Sequence, residues 1–348
     1  MMSIVAIIGD AHFSVKNGNK QMLLHQLDFF YEQLIPFCKA NQIDTLYFTG
    51  DIFDVRKVTD NYVLEHVKQL FNEFNLEGFS VLGLVGNHDA VLRNSNMINT
   101  PTMHLDGDII CAVDQIFSHD DIDLIPWITE ENNSTIYREV QASDSKYCIG
   151  HFEFSGFNMS KGVVAKDGLD SSIFSEKYTR VISGHYHTKS SKGNVDYVGT
   201  PYELTWADYD DPKGFHVFDT DLNMLTFIEN PTKIFVKLTY DDSIDGGIPD
   251  IDSDTIFSKW VRVTVKKRKN QEEWLKFEKL INSLKPAELI VIEDLVEHNE
   301  KYRVENVDIT NTYDIMSSYV ENTEFSGSID KKILLERLQG IYREALLQ

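Results

Sequence analysis

Three stretches decide the fold: Ile4-Val-Ala-Ile-Ile-Gly-Asp10-Ala-His12, Thr45-Leu-Tyr-Phe-Thr-Gly50-Asp51-Ile-Phe-Asp54 and Ser80-Val-Leu-Gly-Leu-Val-Gly86-Asn87-His88-Asp89. Each is a short apolar run rich in β-branched and aliphatic residues, and each ends at once in glycine, carboxylate, amide or imidazole. Two later runs, 146–149 and 179–183, end the same way in Gly150-His151 and Gly184-His185-Tyr186-His187. Residues 20–41 and 60–75, between the first three runs, place apolar side chains at helical spacing, among them Leu23, Leu27, Phe30, Leu34 and Phe37. The opening therefore reads βαβαβ, with polar loops at the C-terminal ends of the strands, where open α/β sheets assemble their sites. After Gly184 the segments 195–198, 214–219 and 224–229 read as consecutive antiparallel strands. The expected class is α/β, with two packed mixed β-sheets flanked by helices.

A chain of 348 residues exceeds the usual single core, and a hydrophobic content of 42% can fill a large one. The first apolar run meets Asp10 too soon for a signal peptide or membrane span, so a soluble, cytoplasmic protein with no membrane partner is expected. Cys38, Cys111 and Cys148 lack paired spacing and read as ordinary buried thiols. A formal charge of −22 argues against a strong electrostatic grip on nucleic acid by this chain alone.

A boundary is expected near Asn230-Pro231, giving a main domain over 1–231. Beyond it, 233–240 reads as a strand, 241–254 as an acidic loop, and 260–265, 271–284 and 289–293 as strand, helix and strand. These form a small α+β domain over 232–310. The end, 311–348, reads as two helices, the second capped by Ser328 and carrying Ile333, Leu334, Leu338, Ile341 and Leu346 on one unassigned stripe.

Carboxylate, imidazole and amide oxygen together suit a hard divalent cation such as Mn²⁺. Asp10 and His12 project to one side of an extended segment and can chelate one ion. His185 and His187 repeat that spacing, and each pair can serve one ion or straddle two. Asp51 has two oxygens with which to bridge neighbouring ions, and Asn87 offers an amide oxygen. A single such motif is most often a turn or a satisfied histidine; His25, His66, His104, His119, His216 and His298 are read that way, and Tyr186 is read as packing.

In this order the motifs DxH, GDxxD, GNHD, GH and GHxH resemble the calcineurin-like metallophosphoesterase superfamily over residues 3–229. The resemblance implies phosphoester hydrolysis at two divalent ions, Mn²⁺ or Mg²⁺. One would be held by Asp10, His12, Asp51 and His187, and the other by Asp51, Asn87, His151 and His185. Paired cations stabilise both the attacking and the leaving oxygen of an in-line displacement. His88 would stay off the ions as general acid, with the Asp54 carboxylate holding its ring. A phosphoprotein phosphatase or other phosphodiesterase of the superfamily is the alternative enzyme, and a noncatalytic scaffold the alternative of another class.

Tyr197-Val-Gly199-Thr-Pro201-Tyr-Glu-Leu-Thr205 and Asp211-Pro-Lys213-Gly214-Phe215 resemble SbcD-type nuclease subunits of double-strand-break processing complexes. Segments 50–57, 123–127 and 150–157 and the terminal helices resemble the nuclease subunits of recombination endonucleases of T-even-type phages. That resemblance implies a DNA exonuclease and endonuclease, a DNA-capping role for the small domain, a homodimer through the nuclease domain, and an SbcC-type coiled-coil ATPase as partner. Asp54 departs from it: SbcD-type chains commonly carry histidine there, and the phosphoprotein-phosphatase branch aspartate. Arg56 and Lys57 are the expected phosphate contacts beside the site. Lys266, Lys267, Arg268 and Lys269 form the one dense basic run, read either as a phosphate contact or as a solvated turn. The acidic balance fits an ATPase that supplies much of the DNA surface and receives the terminal helix in a groove. Deleting 329–347 is expected to abolish ATPase binding while sparing hydrolysis of a small diester; a pull-down that still recovers the complex would refute it.

Overall fold

Alternation along β1 (Ile4–Ile8) sets the layers: Val5 and Ile7 face one core, Ala6 and Ile8 another. In the computed structural model, residues 4–56, 60–105, 107 and 110–293 are described, with Val320, Lys331, Leu334 and Leu335 beyond them. β2 (Thr45–Phe48) and β3 (Ser80–Leu84) repeat the alternation, with Tyr47, Leu82 and Leu84 on the β1 Val5 side and Leu46, Phe48 and Val81 on the other.

The first sheet holds six strands: β1, β2, β3 and the short edge strand β4 (Cys111–Val113) run parallel, and β11 (Gly214–Asp219) and β12 (Met224–Glu229) complete it antiparallel beyond β1. The second sheet has the same number. Its parallel centre is β6 (Ile122–Ile125), β7 (Tyr147–His151), β8 (Arg180–Gly184) and β10 (Val195–Tyr197), with β5 (Phe117–His119) and β9 (Ser190–Lys192) as antiparallel edges. Ile122, Leu124, Tyr147, Ile149 and Ile182 meet the first sheet in a shared core, while Cys148 and Val181 face outward to a third apolar layer. The expected architecture of two packed mixed sheets with helices outside is the one observed.

Helices cover both outer faces. On the first sheet lie α1 (Lys20–Phe29), which continues through one π turn, Phe30–Leu34, into α2 (Ile35–Ala40), and then α3 (Asn61–Leu76). The π turn has a local cause: Pro36 has no N–H to close an α-helical bond, and the Ile35 N–H reaches back to Phe30 O. Asn19 and Asp60 cap α1 and α3 with their side chains. On the second sheet, α4 (Asn133–Ala142) packs Ile136 and Val140.

Two sequence expectations need correction. The strand at 195–197 does not continue into the antiparallel pair; it lies in the other sheet, parallel to β8, because the 198–213 loop carries the chain from one sheet to the other. Cys111 is exposed because it opens a short edge strand, at the end away from the buried Val113; Cys38 and Cys148 are buried as expected.

β13 (Phe235–Asp241), β14 (Trp260–Lys267) and β15 (Glu288–Glu293) form a parallel three-stranded sheet, with α5 (Gln271–Ser283) as crossover. Tyr240, Val261, Val263, Trp274 and Phe277 make its own core, whereas Phe235 and Trp260 belong to the core of the first sheet. Residues up to Glu293 accordingly form one compact unit. The terminal helices fall largely outside the described residues; Val320, Lys331, Leu334 and Leu335 are helical. Among the described residues no helix is long and apolar enough to cross a membrane.

Phe30 is fully buried among Phe13, Phe29, Phe48, Phe74 and Tyr202, at ring-centroid distances of 5.0 to 6.3 Å. Phe30→Ala is expected to cost about 3–5 kcal/mol, read as a lower denaturant midpoint at unchanged slope. A loss below about 1 kcal/mol would mean that the core collapses around the gap.

Candidate metal centre

The five loops meet at one place, along the C-terminal ends of β1, β2, β3, β7 and β8. His12 Nε2 and His187 Nε2 lie 3.1 Å apart. Asp51 Oδ2 stands 3.4 Å from His151 Nε2 and 3.7 Å from His12 Nε2. Asn87 Oδ1 stands 2.9 Å from His151 Nε2 and 3.0 Å from His185 Nδ1. Asp10, His12 and His187 form one group that could hold a cation, and Asp51, His151 and His185 a second. All seven residues of the expected ligand set are thus brought together.

The backbone is bent to do this. His12, Asp51 and His185 all adopt left-handed φ, at 45°, 47° and 85°. Such residues cost about 1–3 kcal/mol each and persist where the surroundings over-determine them. The His185 N–H donates to both Asp10 carboxylate oxygens, at 3.1 and 2.8 Å, and the His88 N–H to Asp51 Oδ1 at 2.7 Å. Gly86 is required by closeness: a β-carbon there would meet the Asp51 carboxylate and amide. Gly184 is required for the same reason, since Asp10 and Thr49 occupy the space of its missing side chain.

The donor chemistry fits a cation. His151 donates from Nδ1 to Thr49 O at 2.8 Å, which turns Nε2 toward Asn87 Oδ1 and Asp51 Oδ2. Oxygens crowded around a buried ring nitrogen need a positive charge among them, which a proton on the ring or a cation in its place supplies. Burial, with the like charge of His151 or His12 beside them, lowers His185 and His187 to about 3, so both rings are neutral and can ligate. His12 and His151 move the other way, to about 9; against burial, Asp54 and Asp51 raise the first, and Asp51 and Asp10 the second. Burial raises Asp10 to about 6. Asp51 is held well below the usual carboxylate range because His151, His88 and His12 outweigh its burial.

The calcineurin-like phosphoesterase family matches residues 4–189. The chain belongs to that family. It is also 30% identical to exonuclease subunit 1 of Enterobacteria phage T4, over 97% of this chain and 98% of that one. The superfamily and the phage-nuclease likeness drawn from the motifs are both borne out, and with them a phosphoesterase that takes divalent cations.

Within this phosphoesterase centre Asp54 departs from expectation. His88 Nδ1 donates to the Asp54 backbone carbonyl at 2.7 Å, while the carboxylate lies 3.9 Å from that nitrogen. Asp54 Oδ1 instead approaches His12 Nδ1 at 3.0 Å. The correction has a local cause: the Asp54 N–H is bonded to Phe13 O, which draws the 51–54 loop alongside the DxH loop and its imidazole.

Of the expected DNA contacts, Arg56 is half-buried two residues beyond Asp54, and Lys57 lies outside the described residues. Lys266, Lys267 and Lys269 are exposed at the end of β14. Arg268 pairs with Glu293 at 3.0 Å and lies over Trp274, while Asp242 accepts the Lys269 N–H, so the acidic loop braces this run. His25 and His66 bond to backbone carbonyls and His119 to Tyr47, as ordinary satisfied histidines do; His298 lies outside the described residues. Tyr186 packs in the core against Tyr197.

Sequence reasoning missed three neighbours of the centre, the first two of which brace it. Asp89, fully buried, accepts the N–H groups of Ile52, Phe53 and Gly86 at 2.9 to 3.1 Å, locking the Asp51 loop to the Asn87 loop. Its signal was its place in the GNHD motif. Burial, reinforced by Asp51, raises it to about 7 against the pull of those donors. Lys213, also buried, donates to His187 O at 2.7 Å while pairing with Asp208 at 2.8 Å and Asp211 at 2.9 Å. Trp127 is the third, with its ring beside His185 and His151.

Lys213→Met removes the cation between two buried carboxylates. The variant is expected to lose about 3–5 kcal/mol of stability and about 10- to 100-fold in Mn²⁺ affinity, measured by denaturation and titration calorimetry. Equal Mn²⁺ affinity in variant and parent would show that His187 needs no such anchor.

Proposed function

We propose that the protein is the nuclease subunit of a DNA-processing complex, hydrolysing DNA phosphodiester bonds as an exonuclease and endonuclease with two bound cations, Mn²⁺ or Mg²⁺. The observation that carries the substrate is the end-to-end likeness to an exonuclease subunit, at 30% identity over 97% of the chain. The reaction class rests on the family and on the converging donors.

Asp10, His12, Asp51 and His187 would hold one ion, and Asp51, Asn87, His151 and His185 would hold the other. Bound there, the ions supply a nucleophile near neutral pH and neutralise charge at the phosphoryl group. Thr49 O fixes the His151 ring, and Asp10 fixes the backbone of His185. His88, with a third of its side chain exposed, is the proton donor. Because Nδ1 is committed to Asp54 O, Nε2 delivers a proton to the leaving oxygen only from the imidazolium form. Asp54 positions both His88, through its carbonyl, and His12, through its carboxylate.

Residues 1–231 serve as the nuclease domain, 232–310 as a DNA-capping domain, and 311–348 as the helices that bind an SbcC-type ATPase. A homodimer through the nuclease domain completes the assembly. Arg56 and Lys57 meet the DNA backbone near the site, and the 266–269 run meets it farther out.

Incubation with Mn²⁺ and end-labelled linear DNA tests this reading. Nucleotide release is expected, reduced at least about 100-fold in His88→Ala, the usual scale of general acid catalysis, with Mn²⁺ content unchanged. Chelation should abolish release and added Mn²⁺ restore it. Monoester hydrolysis without DNA cleavage would favour a phosphatase. Inertness even with the ATPase present would favour a scaffold.

A further inference from the structure

Trp127 follows β6 and stands on the His151–His185 side of the centre. Its indole centroid lies 5.2 Å from the His185 ring at an interplanar angle of 37°, and 5.9 Å from the His151 ring, edge to face. Three bonds fix the backbone beneath it: its N–H donates to Val85 O at 2.8 Å, and its carbonyl accepts Asn96 Nδ2 at 2.7 Å and Asn132 Nδ2 at 3.0 Å. Asn96 is itself buried. The indole, however, is only half-buried, and it joins none of the apolar clusters among the described residues. Core packing therefore does not account for a rigidly held tryptophan beside an ionic centre.

We infer that Trp127 is a stacking platform for the nucleobase adjoining the phosphate that is cleaved. The inference rests on the DNA-hydrolase reading above. A phosphate at the centre borders His151 and His185, and a base hangs one sugar away from its phosphate, on the flank where the indole lies. Every base has a π face, so such a platform tolerates any sequence. A paired base inside a duplex cannot offer that face, so the platform takes single-stranded or frayed ends and holds the end nucleotide while its phosphodiester is cut.

The test compares the parent, Trp127→Ala and Trp127→Phe on two oligonucleotides identical except that the nucleotide bearing the scissile bond is normal in one and abasic in the other. Mn²⁺ content is measured in each protein. Trp127→Ala is expected to lower kcat/KM by about 5- to 150-fold on the normal strand, with little change on the abasic one, while Trp127→Phe retains most activity and all three proteins hold the same Mn²⁺. Equal losses on both strands, with or without loss of Mn²⁺, would make the ring a shield for the imidazoles and overturn the inference, as would no loss on either. A parent that cleaves neither strand yet hydrolyses bis(p-nitrophenyl) phosphate would instead overturn the DNA reading itself.

Discussion

Asp51 is an ionised carboxylate taken almost completely out of water, and the rest of the molecule is arranged around keeping it there. An isolated buried charge is untenable. This one is met by the His88 N–H and by the rings of His12 and His151, and its loop is strapped by Asp89 to the loop that follows β3. Each of those partners comes from a different strand end. The charge on one side chain therefore fixes how β1, β2, β3 and β7 must be staggered. It also gives a reason for the left-handed backbone at His12, Asp51 and His185, since relaxing any of the three would pull a donor off the centre.

The two sheets make that stagger rigid. Tyr47, Leu82, Leu84, Ile122, Leu124, Tyr147, Ile149 and Ile182 interlock between them, so the loops of one sheet cannot slide past those of the other without breaking a close-packed core. A second brace crosses outside that core: the Lys213 ammonium, fixed by Asp208 and Asp211, grips His187 O from the loop that carries the chain back to the first sheet. The same loop holds Glu203, whose carboxylate accepts the N–H groups of Ile234 and Phe235 at the entry to β13. One segment, 198–213, thus links the centre to the start of the small sheet.

What was legible in the sequence was periodic or clustered. Five apolar runs ending in ligand-type residues located the strands and the centre, because strand alternation and loop chemistry are both local. The region 90–146 was less legible. Its strands run three to five residues and carry interruptions such as Asp123, a fully buried carboxylate satisfied by nearby Ser118 and by Ser145 and Tyr178 from distant positions. No window of sequence reveals those partners. The crossover at 198–213 was misread for a related reason, since a turn-rich stretch between two strands looks alike whether the strands are neighbours or belong to different sheets. Lys213 was unreadable as a support because, although Asp208 and Asp211 lie close in sequence, the His187 carbonyl that it grips is brought to it only by the fold.

Asp54 shows most clearly how a side chain's role can differ from its motif position. Three residues beyond Asp51, it was expected to act on His88 through its carboxylate, and it does hold that ring, but through its carbonyl. The carboxylate is thereby free to approach His12, and it lies 27% exposed between a ring proposed to bind metal and a ring proposed to donate a proton. A histidine in its place would keep the carbonyl, and so the orientation of His88, while losing the negative charge beside His12. The Asp54 carboxylate thus acts mainly on the DxH imidazole, raising its basicity. The His88 ring keeps its anchor whichever residue stands there. Variation at this position would then change the charge beside His12, proposed to bind metal, without disturbing the orientation of His88, proposed to donate the proton.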